Sequence, residues 1–476
     1  MANQFLRGFR RYRWKEFRLF ILPFIILLLG MFQLPLARLA HDNPGSALTL
    51  TAKDFPTIHD LVPMLGLVGV LLGVNLLFSF FFPRADQILL PLVGLLSGIG
   101  VLMATRLGPS IGDDGLGTKQ LTWVILGLFV CIATLFGLRN MNWLRRYFFP
   151  WIALGIFLVG ITLINTLRVH NLDSPTHDQL NIGPLNFQPS ELLKICIVIY
   201  FAGLLSIFRE DREFEKGKLI GRWRIPPIRI LIPMLIMLGL ALLLFLVVRE
   251  LGLALLIYSV FLSMLYLGSG RSLYVILGLG FFAVLGFIGY SLFSYVRARF
   301  AVVGFDIVDW GYWTNPSCKV QSVPCTDFAQ NQGLQIVQGI LALSSGGILG
   351  TGLGLGHPGF VPVIQSDMVL SALGEELGLA GLFAIIGLYL LLIYRGFRIA
   401  IEATDPFNQL LAAGLTSIFA IQTLIISAGN LKLLPLTGIP LPFLSYGGSS
   451  IIANYIIVGI LLRISHNTAL EREGLV

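Results

Sequence analysis

Residues Val361 to Gly381 read VPVIQSDMVLSALGEELGLAG. A polar, glycine-rich loop ends here, and an apolar run begins that continues to about residue 394. Asp367 stands at the join, with Glu375 and Glu376 further along the run. An apolar run of about 20 residues can cross a hydrocarbon core of about 30 Å as a helix. Such runs recur along the chain, at about 18–36, 61–82, 88–105, 120–138, 148–167, 190–208, 228–247, 251–268, 272–294, 367–394, 408–428 and 450–465. Together they give an all-α, polytopic transmembrane helix bundle.

Composition agrees. The chain is 56% hydrophobic and 12% charged, with a mean hydropathy of +0.83. That balance excludes an ordinary soluble domain and disorder. The short alternating segments of a membrane β-barrel are absent. A net charge of +8 comes without an aromatic-basic groove pattern, so no nucleic-acid partner is expected; basic cytoplasmic loops explain the charge. The first run, Phe17 to Pro35, follows Arg7, Arg10, Arg11, Arg13 and Lys15. It is too long for a signal-peptide core and has no clear small-residue cleavage site, so it reads as a retained anchor.

Placing the N-terminus inside puts most of the 33 Lys and Arg residues on the cytoplasmic side, so both termini are expected there. Loop 295–366 is then external, and Asp367 enters the membrane from outside. Three further polar stretches fall on the same face: Phe187 to Lys194 (FQPSELLK), Arg249 to Leu253 (RELGL), and Leu434 to Ser450 (LPLTGIPLPFLSYGGSS).

Each stretch admits a structural and a chemical role. Glu191 and Lys194 share a helix face; they form a buried ion pair, or Lys194 meets an anionic ligand, as ionisable groups at membrane depth often do. Arg249 is an interfacial snorkelling residue or an anion contact, and Glu250 is a candidate for holding a metal or positioning a polar substrate. The glycine-rich SSGGILGTGLGLGHPG (344–359) has no Gly-Lys-Ser/Thr and no βαβ context, which excludes a nucleotide loop. It remains an anion nest or a re-entrant turn. Pro435, Pro440 and Pro442 forbid a regular helix, and Ser445 and Gly447 lead into the last span as a possible ligand-facing helix start. Glu375 and Glu376 are expected to pair with Lys194 or other polar groups. Asp367 is a helix cap or a general base. Cys131 and Cys196 lie within spans. Cys318 and Cys325 lie in the external loop, where an oxidising compartment favours a disulfide.

In order and spacing, FQPSELLK, GILALSSGGILGTGLGLG, SDMVLSALGEELGL and PLTGIPLPFLSYGGSS resemble the RodA/FtsW family (shape, elongation, division and sporulation proteins). The resemblance implies a ten-helix core over 87–466 containing loop 295–366, an N-terminal extension over 1–86 with two extra helices, and a cytoplasmic tail over 467–476. It implies a bacterial inner-membrane glycosyltransferase that polymerises lipid II into glycan strands at the external face, releases undecaprenyl pyrophosphate, and works with a class B penicillin-binding protein. Asp367 matches the family's essential aspartate and is the candidate base. Glu191 and Lys194 match its Gln-Pro-Ser-Glu helix. Glu250 falls in a degraded Gln-Pro-Asp-Leu-Gly-Thr motif, with Val248, Arg249 and Leu253 replacing Gln, Pro and Thr. The usual Arg-Trp pair before Phe187 is missing. Lys194, Arg249, Arg297, Arg299 or a divalent cation (Mg or Mn) are the candidates for neutralising pyrophosphate. Lipid II transport, or a non-catalytic scaffold for a penicillin-binding protein, are the alternatives.

Overall fold

The computed structural model describes residues 13–42, 58–169, 180–182, 185–210, 218–220, 223–225, 250–307, 317–320, 323–331 and 333–474, with isolated positions 232, 239 and 315. Helices dominate: α1 (Trp14–Asp42), α2 (Ile58–Phe81), α3 (Leu89–Leu107), α4 (Leu116–Gly137), α5 (Phe148–Val169), α6 (Pro189–Glu210), α7 (Leu251–Ser269), α8 (Ser272–Leu292), α9 (Ser294–Gly304), α10 (Leu334–Ser345), α11 (Val369–Glu402), α12 (Pro406–Asn430) and α13 (Gly448–Arg472). The described strands are three short antiparallel hairpins, 180–182 with 185–187, 218–220 with 223–225, and 319–320 with 323–324.

Among the described residues, ten helices are long and apolar enough to cross a membrane: α1 to α4, α6 to α8 and α11 to α13. The span expected at 148–167 is α5, whose apolar stretch Phe148–Thr162 is shorter. The span expected at 228–247 lies outside the described residues.

The two N-terminal helices share one hydrophobic cluster with the rest. Phe20 and Leu27 of α1 and Leu67 and Leu71 of α2 belong to the same buried group as the core helices. Glycines on α3 make the notches. A Cβ at Gly98 would lie 2.3 Å from Leu27, and one at Gly94 would lie 2.9 Å from Leu71. Small residues let membrane helices approach closely where lipid supplies no hydrophobic driving force.

Charges sort to the two ends of the bundle. One end gathers the ion pairs Arg395–Asp86, Arg84–Glu473, Arg145–Glu210 and Arg145–Asp405. The other gathers Asp367, Arg106 and the four polar stretches singled out above.

The helix that carries Asp367's stretch is broken. α11 continues to Glu402, past the expected end at residue 394, but Gly378 has φ +66 and ψ −171 in its interior. The freed backbone groups are not left to lipid. Thr351 and Gly352 donate their N–H groups to the carbonyls of Glu375 and Glu376 at 2.9 and 3.0 Å, and Leu379 and Ala380 donate theirs to Gly347 and Ile348, both at 3.0 Å. Irregular backbone at membrane depth survives where protein covers it. A Cβ on Gly378 would lie 2.3 Å from the Gly350 nitrogen and 2.5 Å from the Ile348 oxygen.

Gly378→Ala is therefore expected to lower stability by about 2–4 kcal/mol, from a strained left-handed φ and a backbone clash. Gly387→Ala, whose Cβ would meet nothing within 4 Å, is expected to change it by less than about 1 kcal/mol. Thermal unfolding of the two purified variants in one detergent checks the contrast; equal melting temperatures would refute it.

Candidate active site

Asp367 is held from three sides. Its carboxylate Oδ1 accepts hydrogen bonds from Gln335 Nε2 of α10 at 3.0 Å and from Ser366 Oγ at 3.1 Å. Its carbonyl accepts from Asn430 Nδ2, at the end of α12, at 2.8 Å. Asn430 also accepts from Ser371 Oγ at 3.2 Å and so ties the first turn of α11 to α12. The turn before Asp367 is strained: Val363, a β-branched residue, has φ +54, an unusual conformation that stores energy near a site. That turn brings the Ser366 N–H to the Val363 carbonyl at 3.2 Å.

The cap role is not the one Asp367 plays. α11 starts at Val369, its N-cap position is Met368, and no side chain caps it. The carboxylate is instead half-buried at the mouth of the helix. Burial raises its pKa above the ordinary aspartate value, and the hydrogen bonds from its own backbone, Ser366 and Gln335, with the charge of Arg299, pull against that rise.

Among the described candidate cations, Arg299 is the one whose charge acts on Asp367. It sits on α9 and donates from Nη1 to the Leu436 carbonyl at 3.2 Å. Its charge acts on Asp367 and on Glu250 alike. Burial raises the Glu250 pKa, and Arg299 again offsets it. Arg297, two residues earlier, is exposed and makes no ion pair among the described residues. Arg249 lies outside the described residues.

Glu191 and Lys194 form the buried ion pair, at 2.6 Å. Lys194 also donates to Gln422 Oε1 of α12 at 3.2 Å, and Gln422 Nε2 donates to the Pro440 carbonyl at 2.6 Å. The lysine thus anchors α6 to α12 and to the proline loop. Among the described residues, no hydrogen bond or ion pair joins it to Asp367, Glu375 or Glu376.

The glutamates have other partners than the expected Lys194. Glu376 pairs with Arg106 of α3 at 2.8 Å and accepts from the Gly354 N–H at 3.0 Å. Glu375 accepts from the His357 N–H at 2.8 Å. Four N–H groups of the glycine-rich stretch, those of Thr351, Gly352, Gly354 and His357, are taken by α11, which makes the stretch a re-entrant brace.

Ser445 closes its own turn. Buried to 2% exposure, its hydroxyl accepts from the Leu441 N–H at 2.8 Å. Gly447 is the N-cap position of α13. Three contacts join the four stretches: the Tyr446 N–H reaches the Gln365 carbonyl at 2.8 Å, the Gln188 N–H reaches Ser449 Oγ at 2.9 Å, and Gly252 packs so closely that a Cβ would lie 2.5 Å from Thr437. Cys318 and Cys325 are joined in a disulfide across the 319–320/323–324 hairpin.

Among the described residues no three His, Cys, Asp or Glu side chains group to hold a metal. Around Asp367 the positive charge comes from Arg299. Sequence reasoning missed Gln335, Asn430 and Arg106. Arg106 carried a readable signal, a lone cation at the end of an apolar run; the two amides carried none, because they act only through folding.

A family model described as Cell cycle protein (FtsW, RodA and SpoVE) matches residues 86–470. The chain belongs to that family. It is 34% identical over 401 residues to the peptidoglycan glycosyltransferase RodA of Mycobacterium tuberculosis H37Rv, covering 83% of this chain and 81% of the relative. It is 31% identical over 391 residues to the probable peptidoglycan glycosyltransferase FtsW of Geobacter sulfurreducens KN400, covering 80% of this chain and 95% of the relative. A solved chain described as "Structural coordination of polymerization and crosslinking by a peptidoglycan synthase complex" superposes with a TM-score of 0.56 at 23% identity, covering 81% of this chain and 98% of that one; at that identity it supports the fold. The family member described here is a polytopic membrane glycosyltransferase of peptidoglycan synthesis.

Removing one member of the Glu191–Lys194 pair leaves a buried charge alone. Lys194→Met is expected to cost about 3–5 kcal/mol of stability, and the double variant E191M/K194M to recover most of it. Thermal unfolding in detergent distinguishes the two; a single variant as stable as the parent would show that the pair is not structural.

Proposed function

We propose that Asp367 is the general base of lipid II polymerisation. The acceptor is the GlcNAc 4-hydroxyl of one lipid II. Its oxygen attacks the MurNAc anomeric carbon at the lipid-linked end of the growing strand. The bond from that carbon to undecaprenyl pyrophosphate breaks with its electron pair, and the α link becomes β. The hydroxyl proton passes to the Asp367 carboxylate. Because pyrophosphate is already a good leaving group, one base and charge neutralisation suffice.

The observation that carries this reading is the state of Asp367 itself. It is a carboxylate at a helix mouth that does no capping, is oriented by Gln335 and Ser366, and has its pKa raised by burial. A carboxylate whose pKa is raised by burial is a stronger base than an ordinary aspartate. Arg299 is the favoured partner for the developing negative charge, since its charge acts on Asp367 and, among the described residues, no ion pair consumes it.

On this proposal both termini lie in the cytoplasm, the Asp367 end faces outward, and the site is open to a substrate with a lipid tail and a polar head. A class B penicillin-binding protein is the proposed partner, by analogy with the crosslinking named for the solved complex.

Two measurements test the base. Asp367→Asn is expected to lower polymerisation of labelled lipid II by at least about 10²-fold, with the melting temperature unchanged; full activity would overturn the assignment. Ordinary aspartates titrate near pH 4, so the acid limb of the rate profile is expected above that value. Gln335→Leu removes a donor to the charged form, which raises the pKa further and moves the limb to higher pH. A limb that stays in place, or moves down, would contradict the geometry.

A further inference from the structure

A cavity of about 760 Å³ lies at the end of the bundle opposite Asp367. Its wall combines α1, the turn before α3, and the last turns of α11 and α13. It draws five cations (Lys15, Arg18, Arg84, Arg395 and Arg472) and three acids (Asp86, Glu402 and Glu473) from these elements.

The acids are all engaged. Asp86 pairs with Arg395 and also accepts from the N–H groups of Ile88 and Leu89, at 2.8 and 2.9 Å, at the start of α3. Glu473 pairs with Arg84. Glu402 pairs with Arg398 at 2.7 Å and with Arg472 at 3.9 Å. Lys15 and Arg18 are left over: both are exposed and make no ion pair among the described residues. They sit three residues apart, on one helix face.

Their position is fixed by a buried neighbour. Arg13 is only 1% exposed. It donates to the carbonyls of Phe82 and Asp86 at 2.8 and 2.6 Å and pairs with Glu16 at 2.7 Å. Asn75 of α2 donates to the same Glu16 oxygen, Oε2, at 2.6 Å. The first turn of α1 is thereby pinned against the 82–86 turn, with Lys15 and Arg18 held at the rim. The rim is also apolar: Leu19 and Ile88 are 43% and 38% exposed.

We propose that this cavity binds the phosphate headgroup of an anionic phospholipid, with Lys15 and Arg18 as its principal donors and the acyl chains lying along α1. Surplus positive charge, an apolar rim and a place at the ends of membrane-spanning helices are the features that recognise such a lipid. The family match begins at residue 86, so the two donors belong to the part of the chain outside it. The site would give the N-terminal helices a role that is independent of sugar transfer.

The test uses the full chain, purified and delipidated in detergent, with lipid retention read by native mass spectrometry. Phosphatidylglycerol is expected to be retained more strongly than phosphatidylcholine. K15Q/R18Q is expected to lower phosphatidylglycerol retention roughly tenfold and leave phosphatidylcholine retention and the lipid-free melting temperature unchanged; K15R/R18K is expected to restore retention. Equal phosphatidylglycerol retention by K15Q/R18Q and the parent would overturn the proposal. So would displacement of the lipid by millimolar inorganic phosphate, which would make the site one for a soluble anion.

Discussion

A broken helix cannot face hydrocarbon with its peptide groups unpaired. α11 breaks at Gly378, and four backbone hydrogen bonds from the glycine-rich loop repair the break. The Arg106–Glu376 pair and the Gly354 bond lock the loop to the same place. Everything at the Asp367 end leans on this brace. The loop holds α11 at Glu375, Glu376, Leu379 and Ala380, about two to three and a half turns beyond Asp367. Were the glycines replaced, side chains would enter the space that the two backbones share, since a Cβ on Gly350 would lie 2.2 Å from the Glu376 carbonyl oxygen.

With the brace in place, the charges separate by function. Arg106 and Lys194 are each buried beside a glutamate, at 2.8 and 2.6 Å, and their charge is used inside the fold. A buried charge without a partner costs several kcal/mol, so pairing is the condition for its presence there. Arg299 differs: it bonds a carbonyl and acts on Asp367 and Glu250 from its place on α9. Among the described residues, neither Arg299 nor Asp367 is neutralised by a direct ion pair.

Much of this was legible in the chain. The apolar runs gave the helices because length and hydropathy alone set whether a segment can span. The order of charged loops brought four distant stretches to one end, where Tyr446 meets Gln365, Ser449 meets Gln188, and Gly252 meets Thr437. The Glu191–Lys194 pair followed from helical spacing. The partners of Glu375 and Glu376 did not, because Arg106 lies some 270 residues away in the chain from Glu376. Ser445 read as part of a helix start aimed at a ligand; its hydroxyl's partner, the Leu441 N–H, depends on how the proline turn folds back.

The sequence by itself determined that the chain crosses a membrane many times and that Asp367 stands at a mouth. These follow from local rules: apolar length, helical period and the cost of charge in lipid. Tertiary structure decided that Asp367 is not a cap, that Gln335 and Asn430 hold it, and that the charge of Arg299 acts on it. Those outcomes depend on which surfaces meet, and no local pattern encodes a contact between helices that are far apart in the chain.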